Sequence, residues 1–127
     1  MKHLWKVLSV LLALAMLPFA TASASESVKI GVIYTVAGLG GASFNDVIHE
    51  GCQRAEKELG ITYEYVEPST IADEETVMDE MCISGEYALI ICVGNEQKDA
   101  VSTVAANYPD QKFCYIDASV DLPNVAN

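Results

Sequence analysis

The sequence predicts an α/β fold, a parallel sheet with helices on both faces. Three observations indicate this class. Strand-like apolar runs alternate with amphipathic helical segments along the 127 residues. Each connection between successive strands is long enough for a right-handed crossover. A glycine-rich turn follows the first strand directly, as in open parallel sheets that bind ligands at the carboxyl ends of their strands.

The first predicted unit is a strand, a glycine-rich turn and a helix. Residues 28–34 form an almost continuous apolar run, which is typical of a buried parallel strand. Ser43 predicts a helix N-cap, and Asp46 completes a capping-box pair three residues later. The helix is expected to end at Gly60 and to carry His49 on its solvated face. Its predicted inward stripe comprises Phe44, Val47, Ile48, Cys52, Ala55 and Leu59, with Gly51 on the same stripe approaching the sheet.

The rest of the chain repeats this alternation. Residues 61–67 predict a strand that ends before Pro68, and residues 73–83 predict an acidic helix that ends at Gly85. Residues 87–93 are strongly hydrophobic and predict a central strand. A helix is expected at 96–107, before Pro109, and a fourth strand at 112–116. The predicted order is therefore β-α-β-α-β-α-β.

The first 24 residues have the features of an export signal. Lys2, His3 and Lys6 precede an apolar run at 7–20, which is shorter than the roughly 20 residues that span a bilayer. Small residues at 22–24 predict cleavage after Ala24. No cysteine lies near this cut to accept a lipid. We therefore expect an exported, soluble protein in the periplasm or outside the cell.

The charge balance argues against two classes of partner. The chain carries 7 basic and 18 acidic residues, a net charge of −11. Removal of the signal takes away Lys2 and Lys6 and leaves a net charge of −13, with five basic residues against 18 acidic ones. Such a surface repels nucleic-acid backbones and anionic lipid headgroups. We expect neither partner.

The four cysteines allow two interpretations. In an oxidising compartment an even number permits disulfides. Alternatively, cysteines inside apolar strands act as small buried hydrophobic residues. No Cys-x-x-Cys spacing supports a zinc or thioredoxin-like site. The positions concerned are Cys52, Cys82, Cys92 and Cys114.

The candidate ligand residues follow the predicted strands. Carboxyl ends of parallel strands meet at one edge, which brings together loops 35–43, 67–72, 94–97 and 117–121. Glycines in the first loop let backbone amides approach a ligand, and the next helix offers N–H groups to an oxygen or anion. Each candidate also has a structural explanation as a cap, a turn residue or part of the core. The candidates from this argument are Gly38, Phe44, Asn45, Asn95 and Asp117.

A competing motif predicts a nucleotide site. Residues 38–43 approximate G-x-G-x-x-G with Ser43 at the last position, and Glu67 ends the second strand as its acidic residue. The alternative function is thus an exported domain that binds a nucleotide or phosphate with the glycine loop. The His49–Glu50 pair lacks the second histidine of a zinc motif. We expect no catalytic site, no metal and no cofactor.

Several segments together resemble the basic membrane protein family, the PnrA-like substrate-binding components of ABC transporters. The resemblance covers essentially all of the chain after the signal. The segments are KIGVIY (29–34), GLG (38–40), SFND (43–46), EG (50–51), AEKELG (55–60), YALIICVG (87–94), ANYPDQKF (106–113), ID (116–117) and PNVA (123–126).

The resemblance implies a type I periplasmic-binding-protein fold, a Rossmann-like lobe that closes with a second lobe on a small molecule. It implies a nucleoside ligand, most often a purine nucleoside, and an ABC permease as membrane partner. Phe44 matches the aromatic residue that stacks on the base, and Thr35 stands where relatives often carry an acid. The other cleft positions that it implies are Gly38, Asn45, Gly94, Asn95 and Asp117.

Relatives in this family are longer than this sequence. We therefore expect residues 25–127 to be an N-terminal lobe truncated before the second lobe, either as a fragment or as a lobe that pairs with another chain. A truncated lobe that serves only as an interaction module is the remaining alternative.

Overall fold

The structure, a computed structural model, describes residues 27–127. The predicted signal peptide lies outside these residues. Within them the chain forms five strands and three α-helices, and two short 3-10 turns precede the second and third helices. The strands are β1 Lys29–Ile33, β2 Thr62–Val66, β3 Leu89–Val93, β4 Phe113–Ile116 and β5 Val125–Ala126. The helices are α1 Phe44–Leu59, α2 Glu74–Ser84 and α3 Lys98–Asn107, and the 3-10 turns are Ile71–Asp73 and Asn95–Gln97.

The five described strands form one parallel sheet in the order β2-β1-β3-β4-β5. The central pair runs in register from Ile30 opposite Leu89 to Ile33 opposite Cys92. The chain moves outward to β2 on one side of β1 and to β3, β4 and β5 on the other. The direction of winding therefore reverses between β1 and β3, which creates a crevice at their carboxyl ends.

Each face of the sheet is covered by helices, as predicted. Alternation along the strands sends Ile33 and Cys92 to one face and Val32 and Val93 to the other. The first face packs on α2 and α3 in the larger core, together with Met78, Val101, Phe113 and Tyr115. The second face packs on α1 through a smaller cluster that contains Tyr34 and Cys52. The predicted fold class is confirmed.

The predicted elements occur in the predicted order, with boundaries within two residues of expectation. The strand β5 was not predicted, because it is only two residues long. It is positioned by Asn124, whose backbone oxygen accepts a hydrogen bond from Phe113 N at 2.9 Å. The buried Asn124 side chain donates to three backbone oxygens at 3.0 Å, those of Ala105, Tyr108 and Gln111.

The predicted inward stripe of α1 is correct for Ile48, Cys52 and Ala55 and wrong for its other three residues. Phe44, Val47 and Leu59 are 54%, 70% and 74% exposed. The helix turns Asn45, Ile48 and Cys52 towards the sheet. The reason is that this face of the sheet offers α1 only a small apolar cluster. The predicted approach of Gly51 to the sheet is also wrong, because a Cβ there would meet nothing within 4 Å.

His49 is half-buried rather than solvated, which corrects a second expectation for α1. Its Nδ1 lies 3.1 Å from the hydroxyl of Tyr34 and 3.2 Å from that of Tyr63. Its Nε2 lies 3.1 Å from the side-chain amide nitrogen of Gln53. Tyr34, which directly follows β1, and Tyr63 of β2 are long enough to reach this position, so a polar residue packs beneath the helix.

The four cysteines are free thiols in the structure, and three of them are buried. The unpaired alternative is therefore the one observed. Burial raises the pKa of the Cys82 thiol to about 11. The thiol consequently stays protonated and packs as a small apolar group.

Candidate functional site

The crevice at the carboxyl ends of β1 and β3 brings two predicted site residues into contact. Gly94 follows β3 with φ +93°, and a Cβ at this position would lie 2.6 Å from Thr35 Cγ2. Gly94 N donates to the Ile116 oxygen at 3.1 Å, which also joins this loop to the end of β4. Only glycine fits this conformation and this distance, so the loops after β1 and β3 meet here.

The side chain of Asn45 fixes the loop between β1 and α1. It is buried, and its Oδ1 accepts a hydrogen bond from Thr35 N at 3.3 Å. Its Nδ2 donates to Thr35 Oγ1 at 3.0 Å and to the Gly38 oxygen at 2.8 Å. The structure thus joins three predicted site residues through Asn45, whose amide is occupied within the loop.

Two carboxylates bind the backbone amides of the glycine-rich loop. Asp46 accepts from Gly40 N and from Ser43 N, both at 2.7 Å. Glu67, at the end of β2, accepts from Leu39 N at 2.6 Å. The hydrogen bonds from Gly40 and Ser43 hold the pKa of Asp46 below its usual range. These loop amides are therefore already occupied. The prediction that the first N–H groups of α1 can bind an oxygen or an anion stays a prediction.

The same contacts bear on the nucleotide alternative. In a dinucleotide site the acid after the second strand binds a ribose, and the loop amides approach the pyrophosphate. Here Glu67 binds Leu39 N, and Asp46 lies where the loop amides converge. Negative charge already occupies this position, so the geometry disfavours phosphate binding.

Phe44 and two polar candidates lie open at this edge. Phe44, the first residue of α1, is 54% exposed, so it is not part of the core. Asn95 and Asp117 are exposed at the ends of β3 and β4. Asp117 adopts φ +74°, a conformation in which asparagine and aspartate are found more often than most residues. These side chains are free to contact a ligand over the crevice.

Gln97 and Tyr115 were missed by the sequence reasoning. The fully buried Gln97 donates from Nε2 to the oxygens of Ile33 and Tyr34 at 3.2 and 2.9 Å. It therefore ties the turn after β3 to the end of β1. Tyr115 donates from its hydroxyl to the Gly94 oxygen at 3.0 Å. The helical spacing of Gln97 with Val101 and Val104 was the available signal that it faces inward.

A buried acid lies at the start of α2. Glu74 is 1% exposed, and burial, with a smaller effect of the Glu96 charge, raises its pKa to about 7. Among the described residues, Oε1 of Glu74 and Oε1 of Gln97 are buried without a hydrogen-bond partner. The carboxyl is therefore neutral below about pH 7, because burial penalises its charged form.

The opposite edge of the sheet holds a depression of about 540 Å³ that contains none of the predicted site residues. It is lined partly by Lys29, whose amine lies 3.0 Å from Glu64 and 2.6 Å from Glu86. The charge of Lys29 is therefore already paired within the protein.

Residues 27–127 contain no helix with the length and apolar character needed to cross a membrane. Within the same range, no three His, Cys, Asp or Glu side chains gather in a way that could hold a metal ion.

The strand order and the crevice define an α/β lobe of the type I periplasmic-binding-protein kind. The family model of the PnrA-like ABC transporter substrate-binding proteins, Bmp, matches residues 27–127. The chain belongs to this family.

Two curated relatives are archaeal proteins named as uncharacterized lipoproteins. The protein of Pyrococcus abyssi is 37% identical over 99 residues, which cover 78% of this chain and 24% of the relative. The protein of Pyrococcus furiosus is 38% identical and covers 78% of this chain and 25% of the relative. The chain thus spans about a quarter of the length of these relatives.

Two solved structures are similar. A solute-binding protein of an ABC transporter system from Aeropyrum pernix superposes with a TM-score of 0.74 at 38% identity, covering 77% of this chain and 27% of that one. A fragment of a putative lipoprotein from Peptoclostridium difficile gives a TM-score of 0.72 at 26% identity, with 79% and 83% of the chains covered.

Proposed function

We propose that this chain is a ligand-binding lobe of an extracytoplasmic solute-binding protein that serves an ABC importer. The observation that carries the proposal is the match of the Bmp family model to residues 27–127, all of the described chain. The lobe captures its ligand and delivers it to a membrane permease without chemical change, so it is not an enzyme.

The proposed ligand is a nucleoside, with a purine nucleoside favoured. An exposed aromatic ring beside hydrogen-bonding side chains suits a molecule with a flat base and a polar sugar. Phe44 supplies the ring, half-exposed at the rim of the crevice. The nucleoside itself is implied by the family resemblance of the SFND segment at 43–46.

In the proposed binding mode each predicted residue makes a different contact with the ligand. Phe44 stacks on the base, and the exposed groups of Asn95 and Asp117 hydrogen-bond to the ligand. Thr35 contributes from the end of β1, where Asn45 holds its hydroxyl. Gly38 and Gly94 both adopt positive φ, and without a Cβ they leave the ligand room to approach the backbone.

A second surface completes the proposed site. One exposed lobe buries only one side of a base, whereas ligand pockets bury most of the ligand surface. We propose that an opposing lobe, on this polypeptide or on a partner chain, covers the other side. The affinity of residues 27–127 alone is then expected to be weak.

Calorimetric titration with inosine, guanosine and NAD tests this function. We expect saturable binding of at least one nucleoside and none of NAD. Phe44→Ala should weaken nucleoside binding about tenfold, because it removes the stacking surface. Val47→Ala, on the exposed side of the same helix, is the matched control and should leave affinity unchanged. Saturable NAD binding without nucleoside binding would overturn the proposal.

A further inference from the structure

We infer that Asp46 and Glu67 act as a built-in anion that excludes phosphorylated ligands from the crevice and so determine its specificity. The inference deepens the proposed function and rests on it. It concerns a choice between ligands of similar shape, a nucleoside and its 5′-phosphate.

The loop amides are the first part of the argument. Backbone N–H groups at a glycine-rich turn and a helix start ordinarily attract phosphate. Here the amides of Leu39, Gly40 and Ser43 donate to carboxylate oxygens at 2.6–2.7 Å. A phosphate would have to displace these short charge-assisted bonds, which are among the stronger hydrogen bonds in proteins.

Charge is the second part. Each carboxylate carries a full negative charge against the loop, and a phosphate there would meet both. The segments that contribute them, 34–46 and 67–70, contain no lysine or arginine to compensate. Two like charges about 4 Å apart in water repel by about 1 kcal/mol, which is about a fivefold loss of affinity for each carboxylate.

The geometry also assigns separate tasks to the two acids. Asp46 lies within α1 and belongs to the capping box, with its oxygens on Gly40 and Ser43. Glu67 comes from β2 and contacts the loop only through Leu39. Its Oε1 would lie 3.3 Å from a Cβ at Gly38, so it packs close under the loop. Glu67 can therefore be changed without removing the cap of α1.

Three variants separate charge from structure. Glu67→Gln combined with Asp46→Asn removes both charges. Glutamine keeps the acceptor oxygen for Leu39 N, and asparagine keeps one of the two oxygens that accept from Gly40 N and Ser43 N. Glu67→Ala frees Leu39 N–H and leaves the helix cap intact. Glu56→Gln combined with Glu58→Gln removes two exposed charges from the far end of α1 and is the matched control for net charge.

The first measurement compares inosine with inosine 5′-monophosphate by calorimetry. We expect the wild-type chain to bind inosine at least about tenfold more tightly than inosine 5′-monophosphate. In the charge-removing double variant this ratio of affinities should fall about tenfold. The control double variant should keep the wild-type preference. Equal wild-type affinities, or an unchanged preference in the charge-removing variant, would overturn the inference.

The second measurement needs no nucleoside. Inorganic phosphate is titrated at millimolar concentrations while the amide resonances of Leu39, Gly40 and Ser43 are followed. We expect no shift in the wild-type chain and a saturable shift at Leu39 in Glu67→Ala. Phosphate binding to the wild-type loop, or none to the variant, contradicts the inference. A chain that binds no nucleoside but passes this test would refute only the proposed function.

Discussion

Asn45 is the residue on which the local geometry of the crevice depends most. Its side chain is buried and satisfies groups of Thr35 and Gly38 that otherwise have no partner in a strand or helix. A buried polar group that loses its partner costs more than the hydrogen bond itself contributed. Asn45 is therefore expected to act on the ligand mainly through the loop that it holds.

Asn45→Ala is expected to lower the free energy of unfolding by about 2–4 kcal/mol, because several buried hydrogen bonds are lost together. Asn95→Ala, an asparagine exposed at the same edge, should change it by less than about 0.5 kcal/mol. Urea unfolding of both variants measures the difference. Equal effects of the two substitutions would contradict the role of Asn45.

Glu74 predicts how stability depends on pH. Its folded pKa of about 7 exceeds the ordinary 4.5, because burial and the Glu96 charge disfavour ionisation. The folded state thus binds the proton more tightly than the unfolded state does. The contribution of Glu74 to the free energy of unfolding is fully present below pH 4.5. It is lost as pH rises through about 7, and the loss is on the order of 3 kcal/mol.

Glu74→Gln should remove this pH dependence and raise the melting temperature at pH 8 relative to wild type. Glu75→Gln, an exposed neighbour on the same helix turn, is the matched control and should keep the wild-type profile. Thermal unfolding between pH 4 and pH 8 provides the comparison. A wild-type slope that persists in Glu74→Gln would show that another group is responsible.

At the scale of elements, the capping box, the Gly60 terminus and the order of strands and helices were all predictable. These features depend on local patterns of polar and apolar residues, and on the glycines and prolines that end helices and strands. The orientation of α1 was not, because Phe44, Val47 and Leu59 have helical spacing whether or not a surface exists for them to cover. Gln97 was missed for a related reason, since its hydrogen bonds go to carbonyls 63 and 64 residues away in sequence.

Two glycines, one within a helix and one in a loop, should change the free energy of unfolding in opposite directions when replaced by alanine. Gly51 lies within α1 with open space around a Cβ, so Gly51→Ala should stabilise the protein by about 0.5–1 kcal/mol. Gly94→Ala should destabilise it, because φ is +93° and the new Cβ would lie 2.6 Å from Thr35 Cγ2. Denaturant unfolding measures both changes in the free energy of unfolding. If both substitutions stabilise the protein, or both destabilise it, the result would contradict the structure.

At the scale of the whole molecule, the fold class and family follow from the sequence because they rest on patterns spread over the whole chain. The candidate site could be predicted only as a set of loops. Which amides are free, and which are taken by Asp46 and Glu67, depends on contacts between separate elements. The export signal, the absence of a lipid anchor and the second lobe remain predictions.

The central claim is that a nucleoside binds at the carboxyl edge of this sheet. Amide chemical-shift mapping of the chain with guanosine tests it most directly. We expect saturable shifts at Thr35, Gly38, Asn95 and Asp117, with Lys29 and Gly85 at the opposite edge unchanged. Saturable shifts confined to the opposite edge, or none at these four residues, would contradict the account.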